Sequence, residues 1–155
     1  VFWDHGVGWP GFGGDQQCTS QHDFGDCRGI LSLDHLADGI KWGLKSAGLE
    51  RFDILGFDAC LMGTFEVVAK LRKHCDFLLA SQELEPAHGW DYRSLSLLVN
   101  QSDASPVELA TNIADRFAVQ AQNLSSTSVT LALFESSKFP AFEVAHTQLV
   151  SRLTE

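Results

Sequence analysis

The sequence predicts an α/β fold in which a mostly parallel β-sheet is covered by helices on both faces. Apolar runs of strand length alternate along the chain with amphipathic runs of helical length, and this alternation is typical of parallel sheets. Each predicted strand is apolar along its length, as expected for a strand buried on both faces. The 155 residues, 45% of them hydrophobic, favour a single domain over residues 1–155 with a substantial core.

The predicted elements begin with a short strand, a long loop and a helix. VFW (1–3) is rich in strand formers. Residues 5–30 hold most of the glycines and predict a long irregular loop of the kind that often carries function. Apolar residues recur at intervals of three and four over 31–48, which indicates an amphipathic helix with Ser32 as its N-cap and Gly48 just past its end.

The middle of the chain supplies two predicted strands of the sheet. RFDILGFD (51–58) and CDFLLASQE (75–83) are both apolar enough to be buried, and a predicted helix over residues 61–74 connects them. Residues 84–91 form a loop, and residues 92–100 are predicted to be helical.

The last third of the chain begins with the best-marked helix, residues 105–122. Its start signals are Ser105 as N-cap, Pro106 at the first position and Glu108 completing a capping box. SVTLALFE (128–135) is the next predicted strand, and residues 139–153 form the last predicted helix.

Residues able to carry chemistry fall at one edge of this predicted sheet. His5, Cys60 and the segment 81–83 all lie at or just past the C-terminal ends of predicted strands. In open α/β sheets, ligands bind at that edge. The sequence therefore predicts a functional site there.

The charge of the chain excludes some classes of partner. Twenty acidic residues against eleven basic ones give a formal net charge of −9. Nucleic acids and anionic membranes are bound by clustered lysine and arginine, so neither is expected as the main partner. A cationic substrate is compatible with this charge.

His5 and Cys60 together predict a nucleophilic thiol. A free thiol has a pKa of about 8.5 and is mostly protonated at neutral pH, so a nucleophilic cysteine needs a base or a cation nearby. A histidine at the end of one parallel strand and a cysteine at the end of its neighbour meet that need. Gly6 would let the backbone approach a substrate carbonyl, so the N–H groups of Gly6 and Cys60 could form an oxyanion hole. The N-terminus of the predicted helix 61–74 would favour the thiolate.

Other interpretations of these residues stay open at this point. Taken singly, Cys60 is more often a buried small hydrophobe and His5 a satisfied core residue. GVGWPG (6–11) matches the G-x-G-x-x-G fingerprint of dinucleotide-binding folds, with Asp26 about 20 residues further on. The third glycine of that fingerprint should open a helix, whereas the glycine-rich loop continues here.

The other cysteines offer structural roles. Cys18 and Cys27 bracket a polar loop and could form a disulfide in an oxidising compartment. With His22 between them they could also form part of a metal site, although the spacing matches no standard zinc pattern. Cys75 follows a predicted helix and is expected to be structural.

Three segments of the chain resemble one enzyme family. WDHGVGWPGFGGD (3–15), LGFDACLMGTFEV (55–67) and LLASQELEPAHGWDY (78–92) are similar to the clostripain family of cysteine peptidases, bacterial relatives of caspases, gingipains and legumains. The resemblance implies a caspase-like α/β/α sandwich, with His5 as the catalytic histidine and Cys60 as the nucleophile. It also implies a cysteine endopeptidase that cleaves protein or peptide substrates after arginine or lysine.

The same resemblance suggests residues that bind the substrate. Asp58 lies two residues before Cys60, so both side chains leave an extended segment on the same side, and its carboxylate could pair with a basic side chain. Ser81, Glu83 and Asp91 are further expected pocket residues, and Glu85 is another candidate for the pocket wall. The structural alternative for Asp58 is a cap on helix 61–74.

Several expectations concern the surroundings of this domain. A caspase-like sheet has strands before the histidine strand, so association with a missing N-terminal segment is expected. Ala87 and His88 stand where the family pattern favours glycine, and they could reshape the pocket. Arg28 offers a site for self-cleavage.

No cofactor is needed for the chemistry, and calcium, on which some relatives depend, finds no support in the sequence because it contains no EF-hand loop. The resemblance favours a secreted or cell-envelope protein. A catalytically silent binding or scaffold domain with the same fold is the alternative function.

Overall fold

A computed structural model describes residues 1–14, 29–124 and 128–154 of the chain. Its centre is a four-stranded sheet with the strand order β1–β2–β3–β4. The strands are β1 (Phe2–Trp3), β2 (Phe52–Asp58), β3 (Cys75–Ala80) and β4 (Ala132–Glu135). Strands β1, β2 and β3 run parallel to one another, and β4 pairs antiparallel with β3.

The observed sheet confirms the predicted fold class and corrects the last strand. β4 begins at Ala132, four residues later than predicted, and it runs antiparallel to its neighbour β3. An apolar run shows that a strand is buried, but the partner's hydrogen bonds decide its direction. The result is a mostly parallel sheet with one antiparallel edge strand.

Helix α1 spans Leu33–Ala47, and both of its predicted ends are confirmed. The Ser32 side chain accepts a hydrogen bond from the His35 N–H, and Gly48 ends the helix in the left-handed conformation. Leu36, Ile40 and Leu44 form its buried face. The local capping signals and the apolar period agree here, so the sequence was sufficient to define the helix.

Helix α2 is much shorter than predicted, covering only Phe65–Leu71, with a 3-10 turn over Arg72–His74. Thr64 is its N-cap. Leu61 has a positive φ of 62°, a left-handed conformation that interrupts any helix starting at this point. Both the predicted helix start at residue 61 and the alternative role of Asp58 as its cap are therefore wrong.

The remaining helices follow the predictions closely. A 3-10 turn over Tyr92–Ser96 leads into the short helix α3, Leu97–Asn100. Helix α4 spans Pro106–Asn123, and the predicted capping box between Ser105 and Glu108 is present. Helix α5 spans Phe139–Leu153, as predicted. Within the described ranges, no helix is long and apolar enough to cross a membrane.

Two hydrophobic clusters cover the two faces of the sheet. The larger cluster packs α1, α2 and the start of α5 against residues such as Leu55 and Phe57 of β2. The smaller cluster packs α4 and Trp90 against the opposite face, which includes Ile54. Side chains alternate along a strand, so Asp58 leaves β2 toward the face that carries Ile54 and Trp90.

An aromatic cluster fixes the glycine-rich loop to the sheet. The ring of Phe12 packs edge-on against Phe57 of β2 at a centroid distance of 5.7 Å, and Phe2 stacks on Phe57 at 5.3 Å. Phe12 and Leu31 also exchange two backbone hydrogen bonds of 2.9 Å. Loop residues 5–12 are therefore held beside the end of β2.

Candidate active site

The ends of β1 and β2 bring the predicted catalytic residues to one edge of the sheet. Trp3 pairs with Asp58 in the parallel ladder, and both strands end at this pair. His5 follows β1 by two residues, and Cys60 follows β2 by two residues. The fold thus has His5 and Cys60 just past the ends of two neighbouring parallel strands, with Asp58 as the last residue of β2.

Gly6 lies directly against the backbone of Cys60. A Cβ atom at position 6 would stand 2.1 Å from the Cys60 carbonyl oxygen and 2.8 Å from Cγ of Met62. Any side chain at position 6 would separate the two loops. This close approach explains why glycine follows the histidine, and it fixes the distance between the backbones of the two segments.

The residues on either side of Gly6 each form a backbone hydrogen bond, and the Gly6 N–H takes part in neither of them. The Val7 N–H donates to the Gly11 carbonyl at 3.2 Å, and the Gly13 N–H donates to the His5 carbonyl at 2.7 Å. These two bonds form the bridge between Gly6 and Phe12. The carbonyl group of His5 is therefore held by a hydrogen bond, while the His5 side chain is exposed.

The Cys60 thiol is partly exposed and contacts the loop after β3. Its Sγ accepts a hydrogen bond from the Glu85 N–H at 3.2 Å, and the Glu85 carbonyl oxygen lies 3.8 Å away. These contacts hold the sulfur in one position at the end of β2.

The residues after Cys60 are held by the end of β3 and do not form a helix. The Leu61 N–H donates to the Glu83 carbonyl at 3.1 Å, and the Gly63 N–H donates to the Ser81 carbonyl at 2.7 Å. These bonds replace the first helical turn that the sequence predicted. Because α2 begins only at Phe65, the expectation that a helix N-terminus faces the thiol is wrong.

Asp58 is buried, with 3% of its surface exposed, and receives hydrogen bonds from uncharged donors. Its Oδ2 accepts from the Trp90 backbone N–H at 2.9 Å and from the Tyr92 hydroxyl at 2.8 Å. Within the described residues, no lysine or arginine pairs with it. Buried carboxylates are normally paired with a cation, so a carboxylate held only by uncharged groups is unusual.

Glu85 places a second carboxyl group beside Asp58. Its Oε2 accepts the Trp90 indole N–H at 3.0 Å, and Asp58 accepts from the backbone N–H of the same Trp90 at 2.9 Å. Burial, together with the hydrogen bond and charge of Asp58, raises the pKa of Glu85 to about 9. Glu85 is consequently protonated and uncharged at neutral pH. The same carboxyl groups and burial raise the pKa of Tyr92.

Gly89, Trp90 and Tyr92 complete this end of the site, and the sequence analysis did not identify them. Gly89 has a φ of 64°, and a Cβ there would lie 2.7 Å from Oδ2 of Asp58. The GWDY segment contained a signal, because a glycine beside aromatic residues after a strand often marks a close approach to a polar group. His88, in contrast, has its Nδ1 2.8 Å from the Gln120 amide nitrogen of α4.

Asp91 and Ser81 are committed to contacts inside the protein. The Asp91 carboxylate accepts hydrogen bonds from Arg93 at 2.7 Å and from Arg116 at 2.6 Å, and these partners lower its pKa. Ser81 is fully buried, and its hydroxyl contacts the Thr130 hydroxyl at 2.9 Å. These contacts give both residues partners inside the protein, and their predicted contact with substrate stays a prediction.

Glu83 is exposed beside these residues, and its backbone supports the site. Its N–H donates to the Ser81 hydroxyl at 3.1 Å, and its carbonyl accepts from Leu61. Its side chain stays a predicted substrate contact.

The dinucleotide-binding interpretation does not fit the loop. A helix should begin at the third glycine of the motif, but Gly11 lies in an extended segment that pairs with Leu31. In the ranges that the structure describes, no group of three or more His, Cys, Asp or Glu residues is placed to hold a metal. The Cys18–Cys27 pair, His22, Asp26 and Arg28 lie outside the described residues.

A family comparison identifies the chain. The model of the clostripain family matches residues 1–155. The chain belongs to the clostripain family. A comparison with curated protein sequences gives no significant match.

Solved structures of clostripain-family proteases share the fold. A secreted C11 cysteine protease from Bacteroides thetaiotaomicron, "iotapain", superposes with a TM-score of 0.71 at 21% identity, covering 97% of this chain and 42% of that one. A clostripain from the same species, in complex with the peptide inhibitor BTN-VLTK-AOMK, gives a TM-score of 0.58 at 23% identity over 83% of this chain and 49% of that one. An inactive zymogen C11 protease from Parabacteroides distasonis gives 0.59 at 21% identity over 90% of this chain and 34% of that one.

These likenesses show which fold the chain has and how much of a clostripain-family protease it spans. They agree with the mostly parallel sheet described above and with a caspase-like α/β/α sandwich. The chain spans 42% of the length of the first of these structures.

Proposed function

We propose that this chain carries the catalytic centre of a cysteine endopeptidase that cleaves peptide bonds after arginine or lysine. The observation that carries the proposal is the meeting of two segments at one sheet edge. The His5–Gly6 backbone lies against Cys60, and the buried Asp58 carboxylate lies two residues before the thiol. A nucleophile, a base and a binding group for a cation are thereby brought to one location.

The reaction follows from the chemistry of these groups. His5 takes the proton of the Cys60 thiol, and Sγ attacks the scissile carbonyl carbon to form a tetrahedral intermediate. His5 then donates that proton to the leaving amine as the C–N bond breaks and a thioester remains. Water attacks the thioester while His5 removes one of its protons, and His5 returns this proton to Sγ as the C–S bond breaks and the acid product leaves. These steps need no metal.

The oxyanion of the intermediate is assigned to backbone amides. The Gly6 N–H takes no part in the two bonds that form the neighbouring bridge, and glycine at this position lets the amide approach the carbonyl of a substrate. The amide of Cys60 is the second proposed donor. Two backbone donors aimed at a developing oxyanion form the usual device for acyl transfer.

Asp58 is the proposed binding group for the basic side chain of the substrate. Its carboxylate is buried, is held in place by Trp90 and Tyr92, and has no cation from the described part of the chain. A guanidinium or ammonium group would supply the missing positive charge. The similar clostripain whose inhibitor contains the peptide VLTK supports a lysine at that position.

Two expectations about the surroundings remain part of the proposal. We propose that the protein acts on peptides or proteins outside the cytoplasm, since similar proteases are described as secreted. We also propose that a further segment of the fold covers the apolar groove between β1 and α1. That groove has a volume of about 780 Å³ and exposes Trp42 and Phe52.

The proposal is tested by hydrolysis of fluorogenic peptides with Arg, Lys, Asp or Leu before the scissile bond. The full chain should cleave after Arg and Lys, and Cys60→Ala should remove the activity. The matched control is Cys75→Ala, which removes a fully buried thiol whose pKa burial raises, and which should leave cleavage in place.

Other outcomes would separate the alternatives. Cleavage after Leu or Asp alone would keep the peptidase and contradict the role of Asp58. A folded full chain that cleaves none of the peptides would favour the catalytically silent binding domain. The rate of alkylation provides a second measurement, since an accessible nucleophile at Cys60 should react with iodoacetamide well before the buried Cys75.

A further inference from the structure

The Asp58 pocket holds two carboxyl groups, and no lysine or arginine of the described residues pairs with either of them. Glu85 joins the site in two ways: its N–H donates to the sulfur of Cys60, and its carboxyl group accepts from Trp90, whose backbone N–H binds Asp58. It therefore contacts the proposed nucleophile and shares a partner with the proposed binding group for the substrate.

The surroundings of Glu85 favour a proton on this pair. Oε2 accepts from the Trp90 indole, whereas Oε1 is buried and has no hydrogen-bond partner among the described residues. Asp58 accepts from the backbone N–H of the same Trp90. Two negative charges in this setting, with no lysine or arginine of the described residues paired to either, would repel each other, and a proton on one of them removes that repulsion.

The groups that act on Glu85 leave the proton on that residue. Burial, the Asp58 carboxylate and the Cys60 sulfur favour its neutral form, and the Trp90 indole opposes them. Tyr92 faces the same pair and is itself held in its neutral form by burial and by both carboxyl groups. The empty pocket consequently holds one negative charge and one exchangeable proton.

We propose that Glu85 determines specificity together with Asp58: the two carboxyl groups share one proton in the empty pocket, and a cationic side chain displaces that proton when it binds. The proton leaves to solvent, and the cation then lies beside two carboxylates. A neutral side chain of the substrate cannot balance a second negative charge in the pocket, so the proton stays on the carboxyl pair. This inference rests on the proposed preference for basic residues.

The consequence is a proton released on binding of a cation. At pH 7 one proton should be released for each arginine peptide bound, and affinity should rise with pH by up to about tenfold per unit until Glu85 ionises on its own. Arginine is the right probe, because its guanidinium keeps its charge throughout this range.

The experiment is isothermal titration calorimetry of the full chain carrying Cys60→Ala, so that the thiol neither reacts nor exchanges protons. A peptide with arginine before the scissile bond is titrated at pH 7 in two buffers of different ionisation enthalpy, which gives the number of protons released. The matched peptide has citrulline, the uncharged isostere of arginine, at that position and corrects for protons exchanged by His5.

The informative variant is Glu85→Gln in the same background. Glutamine has nearly the same shape as protonated glutamate, and it can donate to Asp58 and accept from the Trp90 indole. The expected release falls from about one proton to about zero, and the affinity for arginine loses its pH dependence between pH 6.5 and 8.5. Glu50→Gln is the control, because Glu50 is exposed at the opposite end of β2 and should retain the release.

The failures of the two proposals are distinguishable. Binding of the arginine peptide without extra proton release, or equal release by Glu85→Gln, would overturn the role of Glu85 and leave the basic specificity standing. An arginine peptide that binds no better than its citrulline counterpart would overturn the specificity itself, and with it this inference.

Discussion

Asp58 and Asp91 are both buried aspartates, with 3% and 8% of their surfaces exposed. Asp58 accepts from the Trp90 N–H, and Asp91 is the next residue of the chain after Trp90. Asp91 is paired with positive charge, since Arg93 and Arg116 both donate to its oxygens at distances below 3 Å. Among the described residues, the donors to Asp58 are the Trp90 N–H and the Tyr92 hydroxyl, both uncharged.

This difference separates an acid that has its counter-ions inside the protein from one that is free to take the proposed substrate-binding role. The charge of Asp91 is neutralised inside the protein, so it holds the loop after β3 to helix α4. The charge of Asp58 has no internal counter-ion in the described part of the chain. Burial alone therefore does not identify a substrate-binding carboxylate; the nature of its partners does.

The largest expected effect comes from removing the charge of Asp58. Asp58→Asn keeps an oxygen that can accept from Trp90 and Tyr92, but it cannot pair with a substrate cation. We expect kcat/KM for an arginine substrate to fall by about 100-fold or more, equivalent to about 2.7 kcal/mol. The value for a leucine substrate should hardly change. Equal losses for both substrates would mean that Asp58 supports the structure only.

The corresponding change at Asp91 should affect stability and leave specificity in place. Asp91→Asn removes the negative charge and one of the two acceptor oxygens, and it leaves two guanidinium groups without their counter-ion. We expect the Tm measured by circular dichroism to fall by about 5 °C. The ratio of arginine to leucine cleavage should change less than threefold. A larger change in that ratio would mean that Asp91 contributes to substrate binding.

The smallest expected effect is a slope in the dependence of stability on pH. The folded-state pKa of Glu85, about 9, lies above the ordinary value of 4.5. Between these two values the folded state holds a proton that the unfolded state has lost, so the free energy of unfolding decreases as pH rises. The stabilisation is complete below pH 4.5 and is lost as pH passes 9.

Urea unfolding at several pH values measures this slope. One proton contributes at most about 1.4 kcal/mol per pH unit, and partial exposure of Glu85 reduces that figure. The difference in stability between the native chain and Glu85→Gln should shift steadily in favour of the variant from pH 5 to pH 9. A difference in stability that does not change with pH would mean that Glu85 does not hold the proton.

Most of the fold could be predicted because its signals are local. The N-cap Ser32, the stop at Gly48 and the capping box of Ser105 with Glu108 each satisfy backbone groups within a few residues, so α1 and α4 begin and end where the sequence indicates. The start of α2 could not be predicted, since residues 61–63 bond to the carbonyls of Ser81 and Glu83 across the sheet edge.

The candidate site divides in the same way. His5, Asp58 and Cys60 were identified because each lies at or just past the end of a strand of a parallel sheet and matches a motif, and the order of the strands then brings them together. Gly89, Trp90 and Tyr92 come from a segment with no periodic pattern, and its glycine and aromatic residues do not indicate that Asp58 is the group they approach.

The sequence by itself determined the α/β class and the capped helices and indicated Cys60 as the candidate nucleophile, because these depend on spacing and motifs along the chain. Only the tertiary structure decided which buried acid is paired with arginine and which way β4 runs. The physical reason is that the charge state of a buried carboxyl group depends on its neighbours in space. Those neighbours, 25 to 34 residues away along the chain, become visible only when the chain is folded.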